Sequence, residues 1–565
     1  MDIDIRPFEA GQFDNFLEPV KEMFSRDGES VSSEAFQYRF KALGKKKQLL
    51  SVLRLAEELG ARQIVWEKKY IDRHYLEDFT GYYSRCFNRY KRRCGRAHFF
   101  SSEFEAESFL KVLLDGNDQG LRDLGYIGYC VIKPLPHTVV GRTAMPPPPI
   151  AGAKFPVREN HGSLLGSTRL EVDCSLFQEQ DNEVAACATV ALWCALSATA
   201  RKFDHPTLSP YEITTKANQA HNFSKRTLPN SGLNHFQMSA AIRAVGLDWF
   251  YHDLSSYKYR KRAYPDEPTA PGAKLASSTS SSKTTITEGA DPSERSNDEA
   301  ILAFERRRLY DTETAKGVLY AFLKSGIPPI MTLNYGSKNR YGRDVDRHAV
   351  AVVGYKLKRR LTKPVQGKQS RPCFVSNRLS ELYVHDDNNG PYTKIEIVDD
   401  IVRVHGKDLE SAYISQILTP VYHKIRTQIE DVIELVAEIN TIYEIGNGGT
   451  ENYLNIEWDL YLSDIQKARR LAVKSPCFAE DKARLIFKSA PKYLWVVSAK
   501  LGKNNLFDIL LDATDLKQGG AIAAVLRYDK NFIEGFRKFE KAHRFMMHLE
   551  HNSARQFFDH LFSEE

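Results

Sequence analysis

No charged side chain occurs between Glu183 and Arg201, the longest such stretch in the chain, which reads VAACATVALWCALSATA. Ala, Thr and Ser fill too much of it for the ~20 strongly apolar residues that a membrane span requires. A segment this free of charge yet this poor in large apolar groups demands a helix covered by protein on every side. The chain must therefore build a globular core around it. Its 565 residues, 42 % hydrophobic and 27 % charged, suffice for roughly three or four domains at ~150 residues each. The balance of 79 Lys+Arg against 72 Asp+Glu leaves a net charge of only +7, so nothing in the totals calls for a nucleic-acid partner.

The N-terminal MDIDIRPFEA is acidic and is not followed by an apolar run, so no secretory signal is expected. Eight cysteines are scattered without zinc-ribbon pairing and are read as free thiols of a reducing compartment. These features predict a cytoplasmic, soluble, multidomain protein without membrane insertion.

Punctuation divides the chain into three blocks. In residues 1–150, KQLLSVLRLAEEL (47–59) places its apolar residues on one helical face, and Gly60 closes the helix. RQIVWEKKYI (62–71) and GYIGYCVIKPL (125–135) predict strands, giving an α/β unit that ends at the four prolines of 146–149. The run RCFNRYKRRCGRAHFF (85–100) interleaves five arginines and a lysine with aromatics. It is expected to be a solvated amphipathic helix with its rings turned inward, RNA contact being the rival reading. Residues 151–405 form the second block and contain a Ser/Thr/Pro-rich insert, 258–298, that predicts disorder. The third block, 406–565, is expected to be α/β and mostly helical. Its first helix should start at Thr419-Pro420, a polar cap followed by proline at the first helical position. His543, His548, His551 and His560 cluster near the C-terminus without the i, i+4 pair of a zincin, so no metal site is expected there.

The chemistry concentrates in the middle block. Cys187 opens the uncharged helix, where unpaired N–H groups favour a thiolate. Gln180 lies seven residues upstream, close enough for its amide to turn back as an oxyanion donor. His348 leads directly into the apolar run of RHAVAVVGYKL and is a candidate general base at a strand edge. Asp386, in ELYVHDDNNGPY, follows another short strand and could hold the imidazole in one tautomer. Each residue alone has a plainer reading: Cys187 as a small core residue, His348 as satisfied core, DDNNG as a turn. Cys194, two helical turns further along, is expected to be structural. The order and surroundings of the four residues favour chemistry.

That order, Gln, Cys on a helix, His on a strand and Asp after the next strand, resembles the papain-like cysteine peptidases. It is most similar to the bacteriocin-processing, double-glycine-leader branch. QDNEVAACATVAL, SGLNHFQMSAAIRAVGL, FLKSGIPPIMTLNYG and RHAVAVVGY with ELYVHDDNNGPY carry the likeness over about residues 172–395. The sequence departs from the branch in the extra insert before His348 and in three further places. Ala188 follows the nucleophile where glycine is usual, the Gln-to-Cys spacing is one residue longer, and Asp387 competes with Asp386. The longer spacing leaves Gln178 and Asn182 as rival oxyanion donors.

The resemblance implies an α+β fold with a papain-like core, a nucleophile helix on an antiparallel sheet, between N- and C-terminal mixed α/β domains. It implies a thiol hydrolase that cleaves a peptide or isopeptide amide through Cys187, His348, Asp386 and Gln180, with no metal or organic cofactor. Expected partners are a peptide or protein substrate and a protein met by the flanking domains. Two alternatives keep the same residues, an acyltransferase and an inactive module that binds a peptide or protein.

Overall fold

The computed structural model describes residues 3–9, 15–26, 28–181, 183–219, 227–230, 232–254, 311–335, 346–359, 372–398, 401–404, 411–446, 456–514, 521–542 and 552–562. Asn182, the insert 258–298, His543, His548 and His551 lie outside them. The chain is mixed α+β, with several antiparallel sheets. Among the described residues no helix is long and apolar enough to cross a membrane.

The N-terminal region is a five-stranded antiparallel sheet in chain order: β1 (Ile3–Pro7), β2 (Gln63–Tyr70), β3 (Cys94–Phe100), β4 (Tyr126–Ile132) and β5 (Val140–Ala144). Helices α1 (Glu34–Gly44) and α2 (Lys47–Glu58) precede β2. The periodicity of α2 is the one its sequence predicts: Leu49, Val52, Leu53 and Ala56 are all buried. Helix α3 (Arg73–Gly81) follows β2, and α4 (Ala106–Leu114) and α5 (Asp118–Asp123) lie between β3 and β4.

The helix expected over 85–100 is absent. Residues 94–100 are β3, buried at every position between β2 and β4. The basic run does not continue along one face, because Arg96 turns inward. It packs 3.9 Å from the Tyr70 ring centroid and pairs with Glu67. Alternation of small and aromatic residues in CGRAHFF suits a central strand, and burial overrides the charge pattern that suggested a solvated helix.

Two residues, β6 (Ala153–Lys154), join the edge of the central sheet, and the hairpin β7 (Glu159–Leu165)/β8 (Thr168–Cys174) follows. Its Leu165 and Leu170 pack with Val65, Phe100 and Phe109 of the N-terminal region. Next come α6 (Cys187–Phe203), α7 (Pro210–Gln219), α8 (His235–Arg243) and β9 (Leu247–Asp253). After the insert come α9 (Thr312–Lys324), β10 (Ile330–Tyr335) and β11 (Asp346–Leu357). A two-residue strand β12 (Cys373–Phe374), then β13 (Leu379–Asp386), β14 (Gly390–Val398), β15 (Ile401–Val404) and β16 (Ser411–Tyr422) complete this part.

Strands β10, β11, β13, β14, β15 and β16 close into a ring, because β10 bonds to both β11 and β16, and β9 extends the sheet from β16. The uncharged sequence is the buried helix α6, packed on β11 and exposing none of Ala188–Thr199. The helix expected at Thr419-Pro420 is instead strand. Thr419 and Pro420 sit opposite Phe250 and Trp249 of β9. Pairing of β16 with β10 stops at Leu418, so Pro420 has a strand on one side only and its missing N–H breaks no ladder. The central sheet thus takes a strand from beyond residue 405, and the first C-terminal helix, α10, spans Ile429–Gly446.

The C-terminal sheet orders β12, β17 (Glu457–Asp464), β18 (Tyr493–Leu501), β19 (Asn504–Asp512) and β20 (Ile522–Arg527). Helices α11 (Ile465–Lys474), α12 (Ala479–Phe487), α13 (Lys530–Ala542) and α14 (Asn552–Phe562) accompany it.

Candidate active site

Cys187 is the first residue of α6, after Ala186 in extended conformation. As a first helical residue its N–H has no acceptor within the helix. The turn that delivers it is fastened by Asp181. Oδ1 of that residue accepts the N–H groups of Glu183, Val184 and Ala185 at 3.1, 2.8 and 2.7 Å. Tyr83 holds the other oxygen at 2.8 Å, and Tyr82 donates to Glu183 at 2.6 Å. From the far side Asn230 and Thr214 grip the carbonyls of Glu183 and Val184. So the approach to Cys187 is fixed by the N-terminal region and by α7 together. Cys187 itself is half-buried.

His348 is the third residue of β11, opposite Leu333 of β10, and 7 % exposed. Asp386 ends β13 and is fully buried, where the strand turns through Asp387, Asn388 and Asn389 into β14. Nε2 of His348 lies 2.9 Å from Asp386 Oδ1, and the Cys187 side chain is close enough to the imidazole to help raise its pKa. With Nε2 committed to the carboxylate, Nδ1 is the nitrogen left to exchange a proton with the sulfur. Thiol, imidazole and carboxylate, drawn from positions 187, 348 and 386, therefore meet in one place.

The electrostatics follow from this contact. Burial disfavours the imidazolium, but the hydrogen bond to Asp386, the nearby Cys187 side chain and the charges of Asp386 and Asp387 outweigh it. His348 is held well above the ordinary imidazole value. Burial likewise works against the Asp386 carboxylate, and is overcome by His348 and the amides of Asn389 and Asn388, which keep its pKa low. Asp387 differs. Burial, reinforced by the neighbouring Asp386 charge and opposed by His348, pushes it up to about 7. Its Oδ1 is 3.5 Å from His348 Nε2, and its Oδ2 is buried without a hydrogen-bond partner among the described residues. Of the two adjacent acids, Asp386 makes the shorter contact and carries the fuller set of hydrogen bonds.

Gln180 reaches the same turn. Its Nε2 donates to Asn388 Oδ1 at 3.0 Å, and Asn388 Nδ2 is 3.5 Å from both ring nitrogens of His348. The rival Gln178 is buried beside Cys194, and its Nε2 has no partner among the described residues. Cys194 is a core thiol, as its position predicts, and burial pushes its pKa far up.

Sequence reasoning missed the support from α2. Lys47 Nζ donates to Asn389 Oδ1 at 2.6 Å, and Gln48 Nε2 to the Asp387 carbonyl at 3.2 Å. Nothing local in KQLLSV signals a partner some 340 residues away. The glycine of DDNNG was the available hint. Gly390 has φ +122°, and a Cβ there would lie 2.2 Å from Ser51 Oγ of α2.

His348, Asp386 and Asp387 also form a group whose potential ligand atoms lie within 4.8 Å of one another. Both oxygens of Asp386 already accept hydrogen bonds, and the imidazole is shared with Cys187. That donor set suits an acid–base pair beside a thiol better than a cation. No protein-family model matches the chain, and no curated protein matches it.

Proposed function

We propose that this chain is a cysteine-dependent hydrolase, with a papain-like core, that cleaves a peptide or isopeptide amide. The observation that carries the reading is the buried His348, hydrogen-bonded to Asp386 and set beside the helix-opening Cys187. In this reading the Cys187 sulfur attacks the carbonyl carbon, forming a C–S bond. The imidazolium then gives its proton to the leaving nitrogen as the C–N bond breaks. Water attacks the thioester, His348 takes its proton, and sulfur leaves as thiolate, restoring the pair. Asp386 holds the ring and balances its charge throughout. In this reading the Cys187 N–H would serve the oxyanion, joined by the Gln180 amide through the N–H that its bond to Asn388 leaves over.

A peptide and isopeptide library tests this by turnover. The account expects turnover that disappears in Cys187→Ala and in His348→Ala and that survives a chelator. Turnover unchanged in Cys187→Ala would overturn it. So would turnover that a chelator abolishes and zinc restores, which would assign the imidazole and the two acids to a metal.

A further inference from the structure

The acid turn of the site is built against α2, a helix of the N-terminal region. Asn389, 6 % exposed, places its Nδ2 on Asp386 Oδ2 and its Oδ1 on Lys47 Nζ, 2.6 Å away. A primary amide has two faces, and which one meets the carboxylate is decided by its other neighbour. An ammonium group only donates, so Lys47 forces the carbonyl face toward itself and the NH2 face toward Asp386. If the amide were reversed, its oxygen would confront the buried carboxylate and the bond to Lys47 would be lost. Gln48 pins the next backbone carbonyl of the same turn, and Gly390 lets the turn approach Ser51 with no room for a side chain.

We propose that α2 belongs to the catalytic apparatus, with Lys47 acting through Asn389 as a positioning residue that fixes Asp386 on His348. This rests on the hydrolase reading above. It makes the N-terminal region a working part of the site and not only a recognition module. Displacing α2 would weaken the imidazole–carboxylate bond without touching the nucleophile. Lys47 is itself largely exposed, so replacing it leaves the core intact.

The test is the pH profile of iodoacetamide labelling at Cys187, located by peptide mass spectrometry in the full chain, with the melting temperature read in parallel. Lys47→Met should slow labelling near pH 6.5 by about tenfold, equivalent to about one pKa unit on the imidazole. It should leave the melting temperature within ~2 °C, and Lys47→Arg should recover most of the rate. In an Asp386→Asn background Lys47→Met should change nothing further, because the two act through one contact. A purely structural role would instead shift the melting temperature in both backgrounds. Equal labelling in Lys47→Met and the unaltered protein, or an equal slowing in both backgrounds, overturns the role of Lys47 alone. If Cys187 of the unaltered protein labels no faster than Cys86 or Cys373, the hydrolase reading fails first and the role of Lys47 fails with it.

Discussion

Two buried carboxylates anchor two polar clusters, and they are built to opposite ends. In the C-terminal sheet, Asp459 accepts Tyr320 and Lys324 on one oxygen at 2.9 and 2.5 Å, and Lys500 on the other at 2.8 Å. Burial opposes its charge, but the two lysines hold its pKa down to about 2. That cluster joins α9 to β17 and β18 and is saturated. Around Asp386 one neighbouring carboxylate oxygen has no hydrogen-bond partner among the described residues, and the imidazole faces a half-buried sulfur. A closed cluster spends its charges on holding elements together. In the hydrolase proposed above, the open one would keep a proton and a nucleophile poised, at some cost to the fold.

The largest effect that would sharpen this contrast is on reactivity. Cys187→Ser and His348→Ala should each lower turnover at least ~10³-fold. The melt of Cys187→Ser should move little, since Cys187 is half-buried and Ser is close to isosteric. A melt shifted as far as that of a core variant would place Cys187 with the structural thiols.

Asp459→Asn should do the reverse, lowering apparent stability by about 3 kcal/mol at pH 7, the lower end for breaking a buried pair, with Cys187 labelling unchanged. The sign with pH is fixed by the depressed folded pKa. The Asp459 contribution is complete above the unfolded value near 3.8 and is lost as pH falls through about 2. Urea titrations from pH 7 downward should therefore show the gap between variant and parent closing in acid. A gap that stays constant would remove the ion pair from the account.

Gly390→Ala tests the join between the N-terminal region and the central sheet. Left-handed backbone at φ +122° and a 2.2 Å approach to Ser51 Oγ both oppose the added methyl group. A loss of about 1–3 kcal/mol is expected, together with slower Cys187 labelling. Loss of stability with full reactivity would show that the turn can leave α2 and still hold Asp386.

The smallest effect has the most informative sign. Asp387 titrates near 7 in the folded chain, above its unfolded value of 3.8, so its contribution is complete at low pH and is lost as pH rises through about 7. Asp387→Asn should thus gain in melting temperature over the parent between pH 4 and 7, with little further change above. A gain at pH 4 that vanishes at pH 8 would contradict the burial of this acid beside Asp386.

What the sequence made legible, and what it hid, follows the range of the interactions. Cys187, His348 and Asp386 were readable because each stands at the start or end of an apolar helix or strand, where local pattern fixes its place. Strand β3 was hidden by its basic neighbours. Arg89, Arg92 and Arg93 are exposed as a charge run suggests, yet Arg96 is buried on Tyr70 and Glu67, a fact of tertiary packing. Thr419-Pro420 carries a sound helix-start pattern and is still strand, since β9 supplies one ladder and the other side asks for no N–H. Lys47 and Gln48 had no local signature, because their roles exist only once α2 meets the turn at Asp386–Gly390.

Cys86, Cys187 and Cys373 are all half-buried, and of the three Cys187 is the one placed against His348. Cys86 is an internal control whose thiol is pushed up by burial and by Glu183. The most direct measurement is therefore the rate of alkylation at each of these three positions at pH 6, in the unaltered chain and in His348→Ala. Cys187 should react fastest and fall to the level of the other two when His348 is removed. Equal rates at all three positions, or a Cys187 rate indifferent to His348, would contradict it.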